Sequence, residues 1–210
     1  MKPINKFKIM KKILLILILT FSFQTLVKAD DIRDLQIEGM SIGDSLLDFF
    51  NKNFIKEILA EHKDLYKYKK NKTFVQAGTL SNDKISFANY EYLQFMVKKN
   101  DKKYIIHGIS GKIFDNYEID IKSCYKKQDE VVKNLKNDFL NTDLVEPKKL
   151  KKHQGDKTGK STVRQVGFFF KNDDVITIEC YDWAKVMPYK NNFKISLSTD
   201  ELNKWFLTND

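Results

Sequence analysis

The sequence predicts an α+β fold, in which a mainly antiparallel sheet has helices packed on one face, as a single domain after a signal peptide. Segments with alternating apolar residues occur as pairs joined by short turns, and segments of helical period lie between those pairs. No stretch rich in Pro, Gly or Ser divides the 210 residues. With 42% apolar residues, the chain can bury a core of its own.

Residues 1–29 have the three parts of a secretory signal peptide. Met1–Lys12 carries lysines, and Ile13–Phe23 is apolar but shorter than the roughly 20 residues that span a bilayer. Val27-Lys28-Ala29 has the small residues of a cleavage site. We expect cleavage after Ala29 and a periplasmic or secreted protein. The alternative is an uncleaved membrane anchor over Ile13–Val27.

The positive charge lies mostly in this leader. Six lysines and no acidic residue lie in 1–29, so a net charge of +9 falls to +3 after cleavage. Only Arg33 and Arg164 offer the planar guanidinium group that reads phosphates and bases. The sequence therefore predicts no nucleic-acid partner, and the expected partner is an envelope protein or an anionic surface.

The first element after the leader is helical. Apolar residues recur at helical intervals over Met40–His62, and Asn51–Asn53 is expected to divide this segment into two short helices. Asp44 and Ser45 are both suitable residues to cap the first helix.

A strand hairpin follows, since the apolar period changes to two from Ile85. The turn is expected at Asn100-Asp101, and Tyr117–Ile121 extends the sheet. The residues expected on one side of the two strands are Leu93, Phe95 and Val97, then Ile105, His107, Ile109 and Ile113.

A long helix over Ser123–Leu140 is indicated by an apolar stripe of Cys124, Val131, Leu135 and Phe139. A loop is expected over Asn141–Ser161, followed by a hairpin of Thr162–Phe170 and Val175–Trp183. Phe193–Leu197 is the last strand. A capping box of Ser198 and Glu201 then opens a short C-terminal helix.

Cys124 and Cys180 are expected to form a disulfide. An even number of cysteines in an exported chain is typical of a bonded pair. Cys124 lies on the apolar stripe of its helix, and Cys180 lies on the strand face that should meet that stripe. The alternative is two buried thiols that do not meet.

Gly43-Asp44-Ser45-Leu46 resembles the nucleophile block of the GDSL, or SGNH, hydrolases, and this resemblance implies an ester hydrolase that uses Ser45. Those enzymes also need an Asp-x-x-His pair and a Gly-x-Asn motif. None of His62, His107 and His153 has an aspartate three residues before it. Helix capping by Ser45 is therefore favoured, and no catalytic residue, cofactor or metal ligand is predicted.

Two features of the expected 141–161 loop suggest anion binding. Gly155–Ser161 resembles a phosphate-binding loop but has three residues between its glycines instead of four, so it is expected to be a solvated loop. The basic side chains near it are expected to form a solvated surface, with a site for an anion as the alternative. These are Lys148, Lys149, Lys151, Lys152, His153, Lys157, Lys160 and Arg164.

The segments Ile37–Leu47 (IEGMSIGDSLL) and Cys124–Glu130 (CYKKQDE) resemble an uncharacterised family of small exported bacterial proteins. This resemblance implies an exported α+β domain and no known activity. The order of elements after Gly39 and Gly43 is also similar to that of the BamE-like outer-membrane assembly proteins, although the chain lacks their lipoprotein cysteine. We expect a non-enzymatic binding or envelope-associated module.

Overall fold

The fold comes from a computed structural model of the chain. The structure describes residues 31–62, 65–66, 69–82, 85–114, 120–139, 142, 144–145 and 149–208. The expected signal peptide and Lys148 lie outside the described residues and stay predictions. No helix in the described ranges is both long enough and apolar enough to cross a bilayer.

Among the residues that the structure describes, eight strands form one antiparallel sheet. They are β1 Phe74–Leu80, β2 Tyr92–Lys98, β3 Ile106–Ile113, β4 Leu144–Val145, β5 Lys149–Lys152, β6 Thr162–Phe169, β7 Val175–Asp182 and β8 Asn192–Ser198. Their order is β1-β2-β3-β8-β7-β6-β4, and β5 also pairs with β6. β1 therefore lies at one edge, and β4 and β5 lie at the other. The predicted α+β class with an antiparallel sheet is confirmed.

The two faces of the sheet differ because side chains alternate along each strand. The register brings Phe95, Ile109 and Leu197 side by side on the face that packs into the main apolar core, which we call the core face. The opposite face, which we call the polar face, carries Ser110 and Ser196 in the adjacent row. Their hydroxyl oxygens are 2.9 Å apart.

Helix α1 (Lys52–Glu61) contacts β1 and buries Ile55 and Ile58 in the main core. The helix begins after Asn51, whose side-chain oxygen accepts a hydrogen bond from the Phe54 N–H (3.0 Å). Asparagine is a strong N-cap residue, and here it accounts for the break that was expected at this position.

Helix α2 (Ile121–Asp138) lies across β7 and β8 on the core face. Cys124 on α2 and Cys180 on β7 form a disulfide with their Cα atoms 6.0 Å apart, so this prediction is confirmed. Gln128 is fully buried, and its amide nitrogen donates to the carbonyl oxygen of Ile178 (2.7 Å). These two connections hold α2 on the sheet.

The C-terminal helix α3 (Asp200–Leu207) packs against the polar face, unlike α1 and α2. Gly108 allows this close approach, because a Cβ at this position would lie 2.5 Å from Leu202 Cδ2. A small apolar cluster results, separate from the main core. Its buried members are Phe74, Met96, Leu202 and Trp205.

The N-terminus of α3 differs from the expected capping box. Thr199 is the N-cap, and its hydroxyl accepts a hydrogen bond from the Leu202 N–H (3.3 Å). The Ser198 hydroxyl donates instead to Asn203 Oδ1 (2.7 Å). Ser198 is the last residue of β8, so the helix starts one residue later than the motif suggested.

The helix expected from Met40 is much shorter. Of the residues expected in its first half, only Leu46–Asp48 form a 3-10 turn, because Ile37 and Met40 form a β-bridge and Gly43 has a positive φ of 92°. A separate 3-10 turn, Ile32–Asp34, comes earlier in the chain. The expected loop over 141–161 also contains β4 and β5, which pair with β6.

The return strand of the first hairpin has a different register from the expected one. A β-bulge between Met96 and Val97 shifts the pairing, so Ile106 and Ile109 both reach the main core although they are three residues apart. His107 therefore does not share a side with the buried isoleucines. Its ring contacts Phe74, with the ring centres 5.2 Å apart.

Candidate functional site

Strand β5 carries part of the predicted basic cluster, and its register divides these residues between the two faces. Lys149 and Lys151 lie on the polar face, where the Lys151 ammonium donates to Gln165 Oε1 (3.3 Å). Lys152 and Arg164 lie on the opposite side of the sheet. All four residues of β5 are exposed, so its lysines are accessible to a ligand.

Arg164 links β6 to α2 and is separate from the lysines of the polar face. One of its terminal nitrogens donates to Asp129 Oδ1 (2.6 Å) and to the carbonyl oxygen of Tyr125 (2.6 Å), and its Nε donates to Gln128 Oε1. The guanidinium group also lies 4.1 Å from the centre of the Tyr125 ring. This arrangement favours a packing role for Arg164.

Four aromatic side chains meet at the end of β7. Trp183 is partly exposed, and the centre of its ring system lies 4.3 Å from that of His153, 4.6 Å from Tyr189 and 5.8 Å from Tyr181. His153 follows β5 directly, so the cluster adjoins the lysines of that strand. We call the whole surface the aromatic–lysine patch. It consists of Lys149, Lys151, His153, Tyr181, Trp183 and Tyr189.

The loop that resembles a phosphate-binding loop is built around its own carboxylate. Asp156 is buried and accepts hydrogen bonds from the backbone N–H groups of Thr158 (2.8 Å), Lys160 (3.2 Å) and Ser161 (2.8 Å). The hydroxyls of Ser161 and Thr158 donate to it as well, and these bonds hold the pKa of Asp156 well below its usual range. The loop donors that would hold a phosphate are therefore occupied by Asp156. Lys157 and Lys160 point outward and are exposed.

The same loop positions the aromatic residues. The His153 N–H donates to the carbonyl oxygen of Ser161 (2.9 Å), and the Ser161 hydroxyl accepts from the Ala184 N–H (2.9 Å). The Trp183 N–H donates to Asn191 Oδ1 (2.6 Å). Hydrogen bonds therefore fix the backbone of His153, Trp183 and Ala184, which gives the patch a defined geometry.

A row of charged groups crosses the polar face beside the patch. Glu179 accepts a hydrogen bond from the Tyr181 hydroxyl (3.0 Å) and pairs with the Lys194 ammonium (3.3 Å). Lys112 is next to Lys194 in the register, and its ammonium lies 5.0 Å from the centre of the Tyr92 ring. Burial and the nearby charge of Lys194 lower the pKa of Lys112 to about 8.

Ser45 lies away from this patch, beside the β2–β3 hairpin. Its hydroxyl donates to the carbonyl oxygen of Lys103 (2.6 Å) and accepts from the Leu47 N–H (3.1 Å), which is the geometry of a cap. Both of these partners are backbone groups. The hydrolase role of Ser45 stays a prediction, and its contacts favour the capping role.

Comparison of the chain with protein-family models, with curated proteins and with solved structures finds no match.

The sequence alone did not identify Tyr181, Trp183 and Tyr189 as site residues. They lie in the last strand of a hairpin and the turn after it, about 30 residues from the basic segment that they join. The sequence did contain a sign of this site, because Trp183 and Tyr189 alternate with Lys185 and Lys190 in the short connection between β7 and β8. Only the pairing of β5 with β6, together with that of β6 with β7, shows that these two segments meet.

Proposed function

We propose that the chain is an exported, non-enzymatic binding module that holds an acidic polysaccharide on the aromatic–lysine patch. The observation that carries this proposal is the position of Trp183, a partly exposed ring held among three other rings beside an exposed lysine strand. A sugar ring has apolar C–H faces that pack on aromatic rings, and its acidic groups pair with ammonium groups.

The charges of the patch suit a polymer better than a small anion. Lys149 and Lys151 lie along β5, and Lys157 and Lys160 are exposed on the loop that follows this strand. A flexible lysine side chain can follow charges that are spaced along a chain. A single anion would need convergent donors, and the loop donors nearby already bind Asp156.

An exported polysaccharide-binding module is supported by two further features. The signal peptide expected over residues 1–29 directs export, and a disulfide such as Cys124–Cys180 persists in oxidising compartments. Single-stranded nucleic acid also binds to surfaces that combine lysines with aromatic rings. Expected export and the use of Arg164 in packing favour the polysaccharide.

Retention on immobilised heparin, a sulfated polysaccharide, tests the proposal. We expect Trp183→Ala to weaken heparin binding about tenfold, which corresponds to about 1.4 kcal/mol. The double variant Lys149→Glu/Lys151→Glu is expected to elute at a much lower salt concentration. The matched control, Lys126→Glu/Lys133→Glu, reverses two exposed lysines of α2 and is expected to bind less strongly only by its change in net charge.

Three results would contradict the proposal. Equal retention of the β5 double variant and the α2 control would show that the patch does not hold the polymer. Unchanged heparin binding by Trp183→Ala would show that the aromatic rings do not contribute to binding. Stronger binding of a single-stranded oligothymidylate than of heparin would point to nucleic acid instead.

A further inference from the structure

A half-open groove of about 770 Å³ lies where β1 begins and β2 ends. Leu59 of α1 and Leu65 of the segment after it line the groove together with Val75 of β1 and Val97 of β2. Tyr104, two residues before β3, belongs to the same lining. Small-molecule sites have volumes of roughly 300–1,000 Å³ and mostly apolar linings, so this groove has the size and character of a ligand site.

The apolar lining is a part of the main core that reaches the surface. Leu59, Val75 and Tyr104 are partly buried and pack against that core, and Leu65 is 48% exposed. Val75 pairs with the buried Val97 in the register, so their side chains lie next to each other on the core face. A hydrocarbon chain in the groove would remove this apolar surface from water, which is favourable.

Lysines from two segments border the groove. Lys98, Lys99 and Lys102 come from the end of β2 and the turn after it, and Lys72 comes from the residues before β1. The Lys99 N–H donates to the carbonyl oxygen of Thr73 (2.8 Å), so the two segments meet at this end of the groove. The side chains of the lysines at 72, 99 and 102 are exposed, and an anion can reach them.

The lysines differ in the partners that they have within the chain. Lys98 pairs with Glu201 of α3 (2.8 Å). The Lys72 ammonium donates to a backbone carbonyl oxygen in the segment after α1 (3.0 Å). Lys99 and Lys102 are therefore the lysines on which binding of an anion is expected to depend most.

The carboxylate of Asp101 also borders the groove, and the backbone of its own turn binds it. One oxygen of Asp101 accepts a hydrogen bond from the Lys103 N–H (2.9 Å), and the other accepts from the Ile105 N–H (2.9 Å). Asp101 thus shapes the turn that presents Lys102. Among the described lining residues the lysines outnumber this carboxylate, so the groove favours a negative ligand.

Tyr104 has a backbone conformation that is unusual for its residue type. Its φ is 51°, in the left-handed region that bulky residues rarely adopt. The Tyr104 carbonyl oxygen accepts a hydrogen bond from the Leu46 N–H (3.1 Å), which helps to hold this conformation. Backbone outliers of this kind cluster at ligand sites, so the position of Tyr104 in the lining supports a binding role for the groove.

We infer that this groove binds the anion of a long-chain fatty acid. The hydrocarbon chain packs on Leu59, Leu65 and Val75, while the carboxylate pairs with the ammonium groups of Lys99 and Lys102. The end of α1, the two strands and the turn after β2 surround the groove, which therefore suits one chain better than the flat surface of a bilayer. This site is separate from the aromatic–lysine patch and takes a ligand of a different class.

Calorimetric titration of the purified chain with sodium dodecanoate, below its micelle concentration, tests the inference. Dodecyltrimethylammonium has the same chain and the opposite charge, and hexanoate has the same charge and a shorter chain. We expect dodecanoate to bind at least tenfold more tightly than either, because both the charge and the buried methylene groups contribute. Equal binding of dodecanoate and either control ligand would overturn the inference.

Reversal of the two exposed lysines tests the position of the carboxylate. Lys99→Glu/Lys102→Glu is expected to bind dodecanoate about tenfold more weakly. The matched control, Lys126→Glu/Lys133→Glu, makes the same change in charge on α2 and is expected to bind dodecanoate as the unchanged chain does. Equal losses in the two variants would show that only the overall charge matters.

A charge in the apolar lining tests the position of the hydrocarbon chain. Leu65→Glu is expected to abolish dodecanoate binding, whereas Leu47→Glu, outside the groove, is expected to retain it. Leu65 and Leu47 are 48% and 41% exposed, so neither variant should unfold the chain. Dodecanoate binding that survives Leu65→Glu would overturn the inference. Trp183→Ala should leave dodecanoate binding unchanged.

Vesicles of phosphatidylglycerol distinguish a free fatty acid from a membrane surface. We expect Lys99→Glu/Lys102→Glu and the α2 control to sediment with these vesicles to the same extent. A larger loss of sedimentation in the groove variant, together with no binding of dodecanoate, would identify the groove as a membrane contact and overturn the inference.

Discussion

Two neighbouring lysines on the polar face have opposite electrostatic surroundings. Burial acts to lower the pKa of Lys194, but the charges of Tyr181 and Glu179 outweigh it and raise that pKa overall. Lys112 has an aromatic ring instead of a carboxylate as its partner, and its pKa falls to about 8. A lysine in an unfolded chain titrates near 10.4, so Lys112 makes the stability of the fold depend on pH.

The pH dependence has a definite sign. Between about pH 8 and pH 10.4 the folded state releases the Lys112 proton and the unfolded state still holds it, so the contribution of Lys112 to the free energy of unfolding rises with pH. Tyr90, Tyr92 and Tyr181 have raised pKa values and act in the opposite direction near pH 10, so Lys112 is isolated by comparison with Lys112→Met. Over this range we expect the unchanged chain to gain on the order of 2 kcal/mol relative to Lys112→Met, measured by urea titrations at several pH values.

The matched control for this measurement is Lys126→Met, which changes an exposed lysine on α2. Its pH profile is expected to follow that of the unchanged chain. Parallel profiles for Lys112→Met and Lys126→Met would contradict the lowered pKa of Lys112.

At the scale of elements, Lys69 in the segment after α1 holds the end of the C-terminal helix α3 by hydrogen bonds. Lys69 is buried, and its ammonium donates to the carbonyl oxygens of Trp205 (2.5 Å) and Phe206 (3.2 Å), and to that of Thr208. The Trp205 carbonyl also accepts a hydrogen bond from the Thr208 hydroxyl (2.9 Å), and the helix dipole favours a cation at this end of α3. The Lys69 ammonium also lies 5.0 Å from the centre of the Trp205 ring.

We therefore expect Lys69→Met to destabilise the chain by about 2–4 kcal/mol, because it removes a buried charged donor that three carbonyl oxygens share. Amide hydrogen exchange should accelerate first in α3. Lys204→Met is the control, since Lys204 forms only an exposed pair with Asp200 and should change stability by less than about 1 kcal/mol. Similar losses in both variants would show that α3 does not depend on Lys69.

Elements with a clear apolar period were predictable from sequence, and the others were not. The hairpin of β6 and β7 and the helix α2 lie close to their expected bounds. The stripe of α2 was shifted, since Gln128 and Val132 are buried where Val131 was expected. β5 has the sequence KLKK and no buried face, so its strand geometry comes only from pairing with β6.

At the scale of the molecule, the disulfide joins the main helix to the centre of the sheet. The bonded residues are 56 apart in sequence, and chain-entropy arguments assign about 4 kcal/mol to a loop of that size. We expect Cys124→Ala/Cys180→Ala to reduce the free energy of unfolding by 2–4 kcal/mol in urea.

Reduction supplies the control for this prediction. A reducing agent should shift the urea midpoint of the unchanged chain toward that of the double variant and leave the variant itself unaffected. Identical midpoints for the variant and the unreduced chain would contradict a stabilising role for the bond.

The α+β class and the cysteine pairing followed from residue types and spacing, whereas the compartment stays a prediction. The candidate site did not, because it needs two distant segments to meet. Lys149 and Lys151 were identified as basic residues, but Trp183 became part of their site only through the pairing of β5, β6 and β7. Long-range pairing of this kind has no local sequence signature.

The strand order separates β1 from β5 by six interstrand steps, or about 29 Å at the usual spacing. The aromatic–lysine patch therefore lies at one margin of the sheet, and a polymer bound there is anchored far from β1.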